Sequence, residues 1–162
     1  MVHSNSKTRH DTVNDQLHQH TNYTLDACMN KSGIVLNDKN GLSTKVPTLP
    51  STSKNVMYAA KCTKHGILYV GQTSQTLNGR FYIHRSDIRH RPTRSDLAQH
   101  YAENDCDFET DLQVSFLETV IGSKDLSEFK EEQWIAKLDT RTPNGLNSRL
   151  RDFGETYYSL FS

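Results

Sequence analysis

Two groups of side chains have types and spacings that suit phosphate chemistry. Glu131 is followed by Trp134, Ile135 and Leu138 at i+3, i+4 and i+7. Helical periodicity then puts its carboxylate on the apolar face of its own helix. A buried carboxylate costs several kcal/mol unless something compensates it. A metal ion would do so, and so would an arginine; a glutamate at the boundary of the face is the third reading. Arg80 and His84 form the second group, four residues apart and so on one helical face. Arg85, Arg89, Arg91 and Arg94 surround them, with Asp87 the one acid in the segment. Arginine grips phosphate with two donors at once and stabilises charge on a phosphoryl oxygen. A basic helix is also commonly a solvated face, so these residues alone leave nucleic-acid contact and plain surface both open.

The elements that must position these groups can be read from the pattern. Val56 to Cys62 reads as a strand, Thr63 to Gly66 as a turn ending in glycine, and Ile67 to Val70 as the return strand closed by Gly71, which together make a β-hairpin. Leu77, Phe81, His84 and Ile88 fall on one stripe of a helix predicted from about Thr76 to His90, ended by Pro92. Ser95 caps a second helix over Asp96 to Glu103. Asp111 to Leu117 alternates polar and apolar residues, which predicts a strand. A third helix runs from about Leu126 to Leu138, and Pro143 and Gly145 break the chain after it. The expected fold is a mixed α/β (α+β) domain over residues 55–148, with a small, mostly antiparallel three-stranded sheet, an N-terminal hairpin and flanking helices. Residues 1–54 read as a polar, disordered tail and linker, since they hold no sustained period and Pro47 and Pro50 break regular pairing. A short strand near Ile34 is the one ordered element the tail could hold, and its His18 and His20 read as surface residues. Residues 149–162 form an extension whose stretch from Phe153 to Phe161 is aromatic enough to pack back on the domain.

Composition narrows the function classes. The chain has 162 residues, 34% of them apolar, which is little for a packed globule of that length. Its 19 Lys and Arg balance 19 Asp and Glu, so there is no long-range pull toward nucleic acid, and any such binding must come from local clustering. Three widely spaced cysteines read as reduced thiols of a nuclear or cytoplasmic protein rather than a disulfide framework. No apolar run approaches the ~18 residues of a membrane span, and the N-terminus lacks the apolar region of a secretory signal.

Taken alone, Tyr58 and Tyr69 are ordinary strand aromatics. With their surroundings they resemble the GIY-YIG nuclease superfamily. Tyr58, a spacer of ten residues and then Tyr69-Val70-Gly71 match the spacing of its paired motifs. Val56-Met57-Tyr58 keeps only the tyrosine of the first motif, while Tyr69-Val70-Gly71-Gln72-Thr73 is close to the family form. Arg80 with His84 resembles the family's Arg-x-x-x-His helix. Glu131 with Trp134-Ile135 resembles its metal-binding glutamate helix, and Gly145-Leu146-Asn147 its closing motif. Within the superfamily the chain is most similar to the C-terminal endonuclease domain of Penelope-like retroelements, through the run from Glu131 to Asn147 and the cysteine inside the hairpin.

The resemblance implies hydrolysis of a DNA phosphodiester bond with one Mg²⁺ or Mn²⁺ held by Glu131. It implies that a tyrosine, Tyr58 in the first instance, takes the proton of the attacking water while Tyr69 orients water or phosphate. Arg80 would clamp the phosphate, His84 would act as acid, base or hydrogen-bond partner, and Asn147 would support the glutamate helix or bind backbone. It also implies a structural Zn²⁺ on Cys62, His65, His100 and Cys106; two thiols and two imidazoles make a tetrahedral set. The retroelement reading brings a reverse transcriptase module in a longer parent protein as partner. A GIY-YIG enzyme of repair or restriction and a catalytically inactive, zinc-stabilised DNA-binding module are the competing readings.

Overall fold

The computed structural model describes residues 24–149. Strands β1 (Ile34–Leu36) and β2 (Ser43–Lys45) pair as a small antiparallel hairpin. Strands β3 (Val56–Cys62), β4 (Ile67–Thr73) and β5 (Leu112–Thr119) form an antiparallel sheet in the order β4-β3-β5. Three helices complete the domain: α1 (Leu77–His90), α2 (Asp96–Glu103) and α3 (Lys124–Leu138). Each helix begins at a hydroxyl cap. Thr76, Ser95 and Ser123 accept hydrogen bonds from the backbone N–H groups of Gly79, Ala98 and Leu126, satisfying donors that the first turn leaves open. The predicted sheet, hairpin and helices are all present. Among the described residues no helix is long and apolar enough to cross a membrane.

Side-chain alternation sorts the core into two layers. Tyr58, Ala60 and Cys62 of β3 pack with Leu77 and Phe81 of α1 and Leu97 and Tyr101 of α2 on one face of the sheet. Met57, Ala59, Leu68, Val70 and Leu117 pack with Ile135 and Leu138 of α3 on the other. Strand β4 lies at the sheet's edge, so elements from the two faces meet around its outer side.

The expectation of a tail through residue 54 is corrected for residues 24–54. Leu25 is buried in the first layer and Val35 in the second. Asn37 is also fully buried and donates from Nδ2 to the carbonyl of Leu138 at 2.7 Å, closing the C-terminal end of α3. The segment escaped the periodicity argument because its short elements bury few side chains, Leu25 and Cys28 in one turn and Val35 in β1, and take their partners from far along the chain. The His18 and His20 readings, and the aromatic stretch Phe153 to Phe161, lie outside the described residues.

Candidate active site

The hairpin register explains the spacing of the tyrosines. Tyr58 pairs with Gly71 and Ala60 with Tyr69, so both aromatic rings share a face as diagonal neighbours, with centroids 6.4 Å apart. Gly71 leaves the space that Tyr58 occupies. A Cβ there would stand 2.6 Å from the Tyr58 hydroxyl oxygen and 2.8 Å from the ring of Tyr69. Val56, where the family motif has glycine, pairs with Thr73 and Thr119 and is buried.

Helix α1 adds Arg80 and His84 above this face. His84 is fully buried, with its Nε2 2.7 Å from the Tyr58 hydroxyl and its Nδ1 3.4 Å from Ser95 Oγ. Burial, and then the Arg80 charge, push its pKa down to about 3, so the imidazole is neutral, and its Nε2 shares a hydrogen bond with the Tyr58 hydroxyl. Burial raises the Tyr58 hydroxyl to about 12 despite the opposing pull of Arg80, which also hydrogen-bonds it. Burial, followed by the neighbouring Tyr58, raises Tyr69 further still. The result is a chain from Arg80 through Tyr58 and His84 to Ser95. Arg80 Nε is buried with no hydrogen-bond partner among the described residues.

A neutral histidine held this way has a measurable consequence. The unfolded chain takes up a proton near the ordinary value of 6.5, while folded His84 stays neutral down to about 3. In that window the unfolded state binds more protons, so stability falls as pH falls, by up to about 1.4 kcal/mol per pH unit. Denaturant melts at pH 7 and pH 4.5 should show a larger loss in the wild type than in His84→Gln. Equal losses would exclude this histidine as the source.

The outer side of β4 holds a cavity of about 160 Å³. Tyr69, Arg80, Glu131 and Asn147 line it, together with Gln72, Arg94, Asp96 and Arg149. Glu131 is 9% exposed, and it reaches the cavity from α3, beyond the edge of the sheet. Asp96 accepts from the Ser148 N–H and hydroxyl, and Glu132 pairs with Arg141. Asn147 holds this wall to the sheet. Its Oδ1 accepts from Val70 N–H and the Thr140 hydroxyl, and its Nδ2 donates to the Val70 carbonyl. It thus occupies the backbone groups that edge strand β4 would otherwise leave open, and losing these bonds would cost about 1–3 kcal/mol for each group stranded. The donor set suits a hard divalent ion. A carboxylate such as that of Glu131 leaves room for the waters and phosphate oxygens such ions keep, and the Arg80 guanidinium, which lines the same cavity, is the donor group for that phosphate.

One expectation needs correction, and a second group of expected residues is divided between different sides of the domain. Tyr58, expected to take the proton of the attacking water, has 0% of its surface exposed and sits behind Tyr69, which borders the cavity. Its place opposite Gly71 on the central strand causes this. Of the four arginines expected to contact DNA, Arg94 alone lines the cavity. Arg85 is turned to another side of α1 and pairs with Glu109; Arg89 and Arg91 are exposed outside the cavity. Sequence reading missed Gln72, Asp96 and Arg149, which lie on the wall without a helical or strand period that points there.

A second cluster lies at the tip of the same hairpin. Cys62, His65, His100 and Cys106 each present one ligand atom, all within 4.8 Å of one another. Cys62 Sγ is 3.3 Å from His65 Nδ1, and His100 Nε2 is buried without a hydrogen-bond partner among the described residues. Burial and the neighbouring His65 lower the His100 pKa, which favours the neutral imidazole that ligates metals. Burial and then Cys62 raise Cys106 to about 12.

Paired hairpin tyrosines, an arginine–histidine helix and one acidic helix around a small cleft define a class of phosphodiester-cleaving enzyme. The chain belongs to the GIY-YIG family: the family model of the GIY-YIG catalytic domain matches residues 54–147, more than half of its length. The fold is similar to a mutant form of the catalytic domain of intron endonuclease I-TevI, with 25% identity, a TM-score of 0.51, and coverage of 63% of this chain and 100% of that one. A structure of the catalytic domain of homing endonuclease I-TevI aligns at 24% identity and a TM-score of 0.47, over 60% of this chain and 100% of that one. Among curated proteins no match is found.

Proposed function

We propose that the chain nicks DNA by metal-assisted hydrolysis in the cavity between Tyr69, Arg80 and Glu131. The observation that carries this reading is the convergence of Glu131 and Arg80 on one small cavity. Arg80 binds and orients the scissile phosphate. Tyr69, as the tyrosine that borders the cavity, meets the attacking water. Tyr58 and His84 hold Arg80 and the hairpin in place. A divalent ion on Glu131 supplies charge stabilisation for the phosphate and the leaving oxygen. The similarity to the catalytic domain of an intron endonuclease supports DNA as the substrate.

The test is nicking of supercoiled plasmid with Mg²⁺ or Mn²⁺. Wild type should nick, a chelator should stop it, and Arg80→Ala should be slower by at least about a hundredfold, the cost of losing one donor to transition-state charge. Equal nicking by Arg80→Ala and wild type would remove the phosphate role.

The hairpin-tip cluster is assigned to structural zinc. Its composition, its spacing and the open Nε2 of His100 fit a tetrahedral site. Untagged protein should carry one zinc per chain, and its removal or Cys62→Ser should lower the melting temperature. Less than stoichiometric zinc, together with a normal melt for Cys62→Ser, would defeat the assignment. From the resemblance of the run Glu131 to Asn147 and of the hairpin cysteine we propose further a place beside a reverse transcriptase in a Penelope-like retroelement protein, acting in the nucleus or cytoplasm.

A further inference from the structure

A second and larger cavity, of about 560 Å³, adjoins the candidate active site, and Gln72 and Arg80 belong to the walls of both. Its lining divides by chemistry. Ile83 and Val120, over the buried Val56, supply apolar surface, and the side-chain amides of Asn55, Gln72 and Gln75 supply polar groups. None of these three amides makes a hydrogen bond among the described residues. Lys124 adds a positive charge from the first turn of α3.

These features fit one occupant. The smaller cavity, at about 160 Å³, has room for a phosphate and its ion but not for the attached nucleoside. A strand whose scissile phosphate lies on Arg80 must lay its next nucleotide along a neighbouring wall, and the larger cavity is the one that shares Arg80 itself. A flat aromatic base suits the apolar surface. A side-chain amide carries a donor and an acceptor side by side, matching the edges of bases. The volume lies in the range of pockets that enclose a small organic group. Asn55 has a left-handed backbone (φ 57), a conformation asparagine tolerates better than most residues, and its carbonyl accepts from Val120 N–H at 2.8 Å. That places its side chain at the cavity independently of helix or strand period.

We propose that this cavity is the subsite for the nucleotide next to the scissile phosphate, and that Asn55 and Gln75 read its base. The enzyme would then prefer one base at one position beside the cut. The proposal rests on the nuclease reading above and adds to it a source of sequence preference.

The test maps nicks made by the full chain in plasmid DNA by sequencing the new ends. Wild type should enrich one base at a position adjacent to the nick by about fivefold or more, the smaller end of what a good base contact gives. The double variant Asn55→Gly, Gln75→Ala should still nick but lose that enrichment, with its nicking at disfavoured bases unchanged. Glycine keeps the left-handed backbone at position 55. Gln75→Ala alone, at an exposed position, should lower the enrichment about twofold. Wild-type nicks with flat base frequencies, or an unchanged preference in the double variant, would overturn the subsite and leave the nuclease reading standing. Absence of wild-type nicking with either Mg²⁺ or Mn²⁺ would overturn both.

Discussion

Glu131→Gln should leave a folded protein that no longer nicks DNA, with a rate at least about a thousandfold below wild type. The amide keeps the shape of the carboxylate, so packing against Ile135 and the cavity wall is preserved. What is lost is the charge. A neutral amide is a poor ligand for a hard divalent ion, and metal stabilisation of the phosphate and leaving oxygen supplies several kcal/mol. About 4 kcal/mol corresponds to the thousandfold drop. The other carboxylates on the wall have structural partners of their own: Asp96 accepts from Ser148 and Glu132 pairs with Arg141. The measurement is plasmid nicking over a range of Mn²⁺ concentrations, beside a thermal melt. A variant that melts like wild type and nicks within tenfold of it would show that Glu131 is a structural ion-pair residue.

Gly71→Ala should damage stability and activity together. The added methyl would lie 2.6 Å from the Tyr58 hydroxyl oxygen and 2.7 Å from its Cζ. Tyr58 cannot retreat, because Phe81 packs against it at a centroid distance of 5.0 Å and the ring is fully enclosed. Overpacking of this kind costs about 1–3 kcal/mol, a fall in melting temperature of about 10 °C for a domain of this size. Displacing Tyr58 also displaces Arg80 and His84, which it bonds. A misplacement of about 1 Å at a reacting centre costs about a hundredfold in rate. Circular dichroism melts and nicking rates on the same preparation check both effects. Wild-type values in both would mean that the tyrosines do not depend on the cleft Gly71 leaves.

The two substitutions mark what kind of information each position holds. The hairpin was legible because its register is local. Alternation alone puts Tyr58, Ala60 and Cys62 on one face, and a short turn leaves Tyr69 and Gly71 opposite them. The pairing of Arg80 with His84, and the inward carboxylate of Glu131, followed from helical period in the same way. That period also showed Glu131 buried while leaving open what compensates it. The hairpin-tip cluster became visible through resemblance, since His65 and His100 are far apart in sequence and no spacing rule joins them.

Residue identity, strand alternation and helix caps by themselves determined the hairpin, the separate strand, the helices and the identities of the residues available for chemistry, because each depends on neighbours a few positions away; the pairing of β5 with β3 joins distant segments and was decided by the tertiary structure. The tertiary structure alone decided which tyrosine borders the cavity, that Asn147 bonds the edge of β4, and that residues 24–54 belong to the domain. It also turned Arg85 toward Glu109 and brought Arg149 and Gln72 to the wall. Each of these depends on contacts between segments distant in the chain, where burial and edge pairing, rather than local period, set the partner.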